Sequence, residues 1–179
     1  QSPIPNPQSP TPNPQSPKVY SVIYLYYFIL LDMSQSYNEV ITNLFVGNET
    51  ASYIYGNEFD TIINCTKIVS FPKNCKTCIR LAVDDTPDEA ENLYNLIKAE
   101  KVLETINNSL ANNKTVLVHC HAGMQRSCAV VACYLVKYNN MSINNAIKLI
   151  KEKRHIAFLN NINFIKTIEL FSKTKKIDL

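Results

Sequence analysis

The residues of this chain best suited to chemistry fall in one stretch, residues 115–137, TVLVHCHAGMQRSCAVVACYLVK. Cys120 and Arg126 stand in it with His121, Ala122, Gly123, Met124 and Gln125 between them. A deprotonated thiol is a strong nucleophile, and a guanidinium offers paired N–H donors that match two oxygens of one phosphate, which a lysine does not. The elements that must hold them are legible on either side. Val116, Leu117 and Val118 form a short apolar, β-branched run, the pattern of a buried strand. Beyond Arg126 and Ser127, the apolar residues Ala129, Val130, Cys133, Leu135 and Val136 follow helical spacing. The cysteine is therefore expected at the end of a strand and the arginine in the first turn of a helix, with a tight glycine-containing loop between them. Such a frame gathers backbone N–H groups around one point, where a phosphate dianion is favoured and so is a thiolate at Cys120. The plainer reading, a buried structural cysteine beside a helix-capping Ser127, accounts for neither the arginine nor the glycine turn.

His119-Cys120-x5-Arg126-Ser127 resembles the signature of the cysteine-based protein phosphatases. The Ala122-Gly123 pair and the short chain resemble the dual-specificity branch of that family. The resemblance implies a hydrolase of phosphotyrosine and phosphoserine or phosphothreonine in proteins, working through a phosphocysteine and needing no metal or cofactor. Cys120 would attack phosphorus, and Arg126 with the N–H groups of residues 121–126 would hold the equatorial oxygens. His121, Ala122, Gly123, Met124 and Gln125 would line the substrate pocket, and the Ser127 hydroxyl would bond the sulfur and help it leave. His119 would orient the loop through hydrogen bonds. The acid must come from elsewhere in the chain. Asp84-Asp85-Thr86-Pro87 follows a strand and precedes a helix, where the family carries its catalytic aspartate. The resemblance puts Asp85 in that role, with Asp84 as the alternative. An Asx-Pro turn with a helix cap is the non-catalytic reading of the same residues.

Around this centre the chain alternates strands and helices. Val40 to Gly47 reads as a strand pair entering a turn, Asn48 to Tyr55 as a short helix, Phe59 to Asn64 as a buried strand and Cys78 to Val83 as another. Asp88 to Leu110 has helical spacing with a break or bend near Glu100, and Ser142 caps a helix from Ile143 to Lys153. A last helix is expected from Asn161 to Phe171. The pattern predicts an α/β fold, a central mostly parallel twisted sheet with helices on both faces. The resemblance runs from about Val40 to Phe171. It departs near the end, where Arg154-His155 and Leu159-Asn160 replace the family's usual proline- and glycine-containing pattern.

Residues 33–175 are thus read as the catalytic domain. Before it, residues 1–18 are a proline-rich repeat, QSPIPNP then QSPTPNP, expected to be disordered. Residues 19–32 are apolar and aromatic but short of the ~20 residues that span a bilayer, so no stable membrane insertion is expected. Met33 is read as the natural start, and residues 176–179 as a solvated tail. A net charge of +3 with 18% charged residues gives no basic surface suited to nucleic acid. Six cysteines without a disulfide spacing favour a reducing compartment, cytoplasmic or nuclear. His119-Cys120-His121 invites a metal, but adjacent side chains cannot converge on one ion without strain. Cys75-x-x-Cys78 is read as a surface turn and strand start rather than half a zinc site or a redox pair. Competing functions are a phosphoinositide phosphatase, discouraged by the lack of lysine in the loop, an RNA 5′-phosphatase, and a non-catalytic phosphoprotein-binding module. The asparagine- and isoleucine-rich composition and the Met124-Gln125 pair resemble phosphatases of large DNA viruses. Composition and motifs leave the physiological substrate and the oligomeric state open.

Overall fold

The structure is a computed structural model that describes residues 35–174. The expected repeat at 1–18, the apolar segment at 19–32 and the tail at 176–179 lie outside the described residues. Five strands form one sheet: β1 (Tyr37–Ile41), β2 (Leu44–Gly47), β3 (Thr61–Asn64), β4 (Thr77–Arg80) and β5 (Val116–His119). Their spatial order is β1-β2-β5-β3-β4. Only β1 runs antiparallel, against β2; the other three pairings are parallel. Asn43 lets the first pair turn tightly by taking φ 64°, the left-handed region that asparagine tolerates.

Alternation along the strands sorts the side chains onto two unequal faces. Phe45, Leu117 and Ile62 stand side by side in register, and with Ala51, Phe59, Tyr37 and Tyr55 they form a small, aromatic-rich cluster under α1 (Glu49–Tyr55). Leu44, Val46, Val116, Val118 and Ile63 face the other way into the main core. That core is closed by α2 (Ala90–Ala99), α3 (Val102–Ala111), α4 (Arg126–Tyr138), α5 (Ile143–Lys153) and α6 (Ile165–Lys173). Every residue of α4 from Ser127 to Val136 is buried, as expected of a helix apolar all round. The expected bend near Glu100 is a full break, with Lys101 at φ 50° between α2 and α3. The Ser142 hydroxyl accepts from the Asn145 N–H at 3.2 Å, the cap expected for α5.

Three expectations are corrected. β4 ends at Arg80 rather than Val83, because its partner β3 ends at Asn64 and leaves nothing to pair with beyond Leu81. The last helix starts at Ile165 rather than Asn161, because Asn160 is left-handed (φ 69°) and the carbonyls of Leu159 and Asn161 accept from the Gln125 side chain instead of from helix amides. Cys75 and Cys78 do lie in a turn and at the start of β4, but they are joined as a local disulfide; the remaining four cysteines are free and buried. The parallel register aligns Gly47, His119, Asn64 and Arg80 in one row at the carboxyl ends of β2, β5, β3 and β4. The loops leaving that row carry the expected chemistry, at the edge where open α/β sheets place their sites.

Candidate active site

β5 delivers Cys120 to this edge and is held on both sides there. The Cys120 N–H donates to Gly47 O at 3.3 Å, and the Cys65 N–H donates to His119 O at 2.8 Å. The Cys120 side chain is fully buried at the floor of the loop. The Gly123 N–H donates to its Sγ at 3.2 Å, and the Ser127 Oγ lies 3.3 Å from the same sulfur. The loop can fold back this way because Gly123 takes φ 69°; a Cβ there would stand 2.7 Å from the Gly47 backbone and 2.8 Å from Arg154 Nη2. Burial, and then the Cys120 sulfur, push the thiols of Cys65 and Cys128 well above the ordinary range, so both stay protonated. The Cys120 sulfur is the one of these three that accepts from a backbone N–H, that of Gly123.

Arg126 opens α4 and is aimed by two backbone carbonyls. Its Nη1 donates to Val83 O at 3.2 Å and to Cys65 O at 3.3 Å, carbonyls on the segments that leave β4 and β3. Its Nε faces Asp85 Oδ2 at 3.4 Å, an ion pair rather than an aligned hydrogen bond. The two candidate acids therefore part company. Asp84 pairs with Lys67 at 2.6 Å with its side chain 60% exposed, whereas Asp85 is 33% exposed and turned toward Arg126. Asn163 Nδ2 donates to Asp85 Oδ1 at 3.0 Å and to Asp85 O at 3.2 Å. The structure thus brings Cys120, Ser127, Arg126 and Asp85 together and leaves Asp84 outside.

The remaining expected residues divide. Ala122 and His121 are exposed at the rim, His121 Nδ1 lying 2.8 Å from Glu49 Oε2, and Met124 is half-buried. Gln125 is corrected: its side chain is buried away from the mouth, accepting from the Asn163 N–H at 3.2 Å and donating to Asn161 O at 2.8 Å. His119 is corrected as well. It is fully buried, and neither ring nitrogen has a hydrogen-bond partner among the described residues. Burial chiefly, and the charge of Arg80, push it down to about 4 against the opposing effect of the Cys120 backbone, so the ring is neutral. His119 is thus buried at the end of β5, whereas His121 is exposed beside Glu49.

Sequence reasoning missed Arg154. Fully buried, it donates from Nε to Gly123 O (2.7 Å), from Nη2 to Ala122 O (3.2 Å), and from Nη1 to Asn38 Oδ1 (2.7 Å) and Gln35 O (3.2 Å). It braces the loop from behind and ties it to β1. A lone arginine at the end of an amphipathic helix reads as solvated, and only the altered pattern at Arg154-His155 marked the place. Asn163 had no sequence signal at all.

A profile of the dual specificity phosphatase catalytic domain matches residues 44–174. The chain belongs to the dual specificity phosphatase family. It is 33% identical over 136 residues to a protein of Invertebrate iridescent virus 6 named "Putative tyrosine phosphatase 123R", a match spanning 75% of this chain and 91% of the relative. This viral similarity agrees with the resemblance read from the composition. Human DUSP28 superposes with a TM-score of 0.69 at 21% identity, over 78% of this chain and 95% of that one. The human tyrosine phosphatase-like serine/threonine/tyrosine-interacting protein superposes with a TM-score of 0.62 at 20% identity, over 77% and 96%. These structures share the fold of this dual specificity phosphatase. As a family member the chain is an enzyme, a phosphoric monoester hydrolase, and the family implies phosphoprotein substrates. Among the described residues no helix is long and apolar enough to cross a membrane.

Proposed function

We propose that this dual specificity phosphatase hydrolyses phosphotyrosine and phosphoserine or phosphothreonine in proteins through a phosphocysteine at Cys120. The observation that carries this reading is the convergence on one sulfur of the Gly123 N–H and the Ser127 hydroxyl, beside the Arg126–Asp85 pair. The substrate phosphate replaces Asp85 as the main partner of Arg126, whose planar N–H groups hold two equatorial oxygens together with the N–H groups of residues 121–126. The Cys120 thiolate attacks phosphorus in line, so the S–P bond forms as the P–O bond to the substrate breaks. The Asp85 carboxyl gives its proton to the departing oxygen. In the second step the Asp85 carboxylate takes a proton from water, the resulting hydroxide attacks phosphorus and the S–P bond breaks. The Ser127 hydroxyl donates to the sulfur as it regains its negative charge, and inorganic phosphate leaves.

Ala122 and His121 stand exposed at the rim, an open entrance that supports access by both aryl and alkyl phosphoesters. The test is hydrolysis of p-nitrophenyl phosphate by the full chain, in EDTA with a reductant, beside Cys120→Ser. Turnover that the serine variant lowers about a thousandfold or more supports the thiolate route. A folded wild-type protein without turnover contradicts it and points to a phosphate-binding module.

A further inference from the structure

Asp85 lies on a loop and is one-third exposed, so its orientation has to come from outside its own segment. Asn163, on the loop between α5 and α6, supplies it. Its Nδ2 grips both the carbonyl and Oδ1 of Asp85, at 3.2 and 3.0 Å. The Asn163 amide is itself oriented, because Asn161 Nδ2 donates to its Oδ1 at 2.6 Å and so turns Nδ2 toward the acid. Its backbone is anchored by Gln125, whose Oε1 accepts from the Asn163 N–H at 3.2 Å. Gln125 is buried and immediately precedes Arg126. A closed ring results: the phosphate loop holds the 159–163 loop through Gln125, that loop holds the acid through Asn163, and the acid faces Arg126.

We propose that Asn163 is the positioning residue of the general acid and fixes which oxygen of Asp85 carries the proton. This rests on the phosphatase reading above. A protonated carboxyl has one carbonyl oxygen and one hydroxyl oxygen. A donor held on Oδ1 selects it as the carbonyl, which leaves the proton on Oδ2, the oxygen on the Arg126 side. When a phosphate engages Arg126, Oδ2 loses its ion-pair partner while Oδ1 keeps Asn163. The acid then stays over the leaving oxygen instead of swinging into solvent, and part of the general-acid advantage depends on that orientation.

The experiment compares kcat and KM of the full chain, Asn163→Ala and Asn163→Asp on two esters, p-nitrophenyl phosphate and phenyl phosphate. The p-nitrophenolate leaves readily without a proton, whereas phenolate needs one. In both variants kcat on phenyl phosphate is expected to fall about tenfold or more, several times further than on p-nitrophenyl phosphate, with KM nearly unchanged. Equal losses on both esters mark a general structural effect and overturn the proposal, as does no loss on either. Should Asn163→Ala unfold, Asn163→Asp keeps the shape and the Asn161 contact while losing the Nδ2 donor, and gives the same comparison. A wild-type chain inactive on both esters removes the phosphatase reading itself, and the role of Asn163 with it.

Discussion

The two walls of the catalytic mouth are held by different kinds of bond. The phosphate-loop wall is built from backbone: β5 is clamped between Gly47 and Cys65, Gly123 folds back onto the sulfur, and buried Arg154 fastens the loop carbonyls to β1. The acid wall is built from side chains on loops, with Asp85 held by Asn163 and Arg126 and Asp84 by Lys67 at the surface. A transition-state cradle benefits from donors that do not move, so it belongs on the rigid side. An acid must serve a departing group and then a water, so it belongs on the side held by a few exchangeable contacts. The difference predicts that damage to one wall spoils both fold and chemistry, while damage to the other spoils chemistry alone.

The largest effect is expected on the acid wall. Asp85→Asn should lower kcat on phenyl phosphate about a hundredfold, and much less on p-nitrophenyl phosphate, with thermal unfolding unchanged. Asp84→Asn should leave kcat within about twofold, because only an exposed ion pair with Lys67 is lost. Equal losses in the two variants would erase the distinction between them. On the other wall, Arg154→Met strips the buried carbonyl of Gly123 and the partly buried acceptors of Ala122 and Asn38 of their donor. It should cost about 3 kcal/mol in chemical denaturation and reduce turnover of both esters alike. Normal stability in that variant would show that the loop does not depend on its brace.

The smallest effect concerns His119 and is a matter of pH. Its folded value of about 4 lies below its ordinary 6.5, so between these values the unfolded chain binds the proton and the folded one does not. Stability is therefore intact above pH ~6.5 and declines as the pH falls toward ~4, by up to roughly 3 kcal/mol for this group. His119→Gln should flatten that part of the stability profile. A wild-type profile already flat there would mean that the ring has found a partner for its proton.

Legibility in the sequence follows the same division. Cys120, Gly123, Arg126 and Ser127 lie within a few residues of one another between a strand and a helix, so their spacing already encodes their geometry. The strand pair at β1 and β2, the α2–α3 break and the Ser142 cap were legible for the same reason, being local patterns of periodicity and turn chemistry. Asp85 could be singled out from Asp84 only by resemblance, since two adjacent carboxylates before a proline look alike until their partners are known. Arg154, Gln125 and Asn163 act across separations of 31, 38 and 78 residues, through side-chain bonds that no periodicity announces. The misplaced starts and ends have the same origin. Apolar spacing at Ile162 extends the last helix on paper, but the carbonyls there are already committed to Gln125.

The most direct measurement is to stop turnover of a phosphopeptide by rapid acid quench and locate any protein-bound phosphoryl group by mass spectrometry. The account predicts one phosphoryl group, on Cys120, that builds up further in Asp85→Asn with p-nitrophenyl phosphate, whose leaving group needs no proton, so that hydrolysis of the intermediate is slowed more than its formation. It should be absent from Cys120→Ser. Steady turnover with no phosphoryl group on Cys120 in either protein, or with the group on another residue, would contradict it.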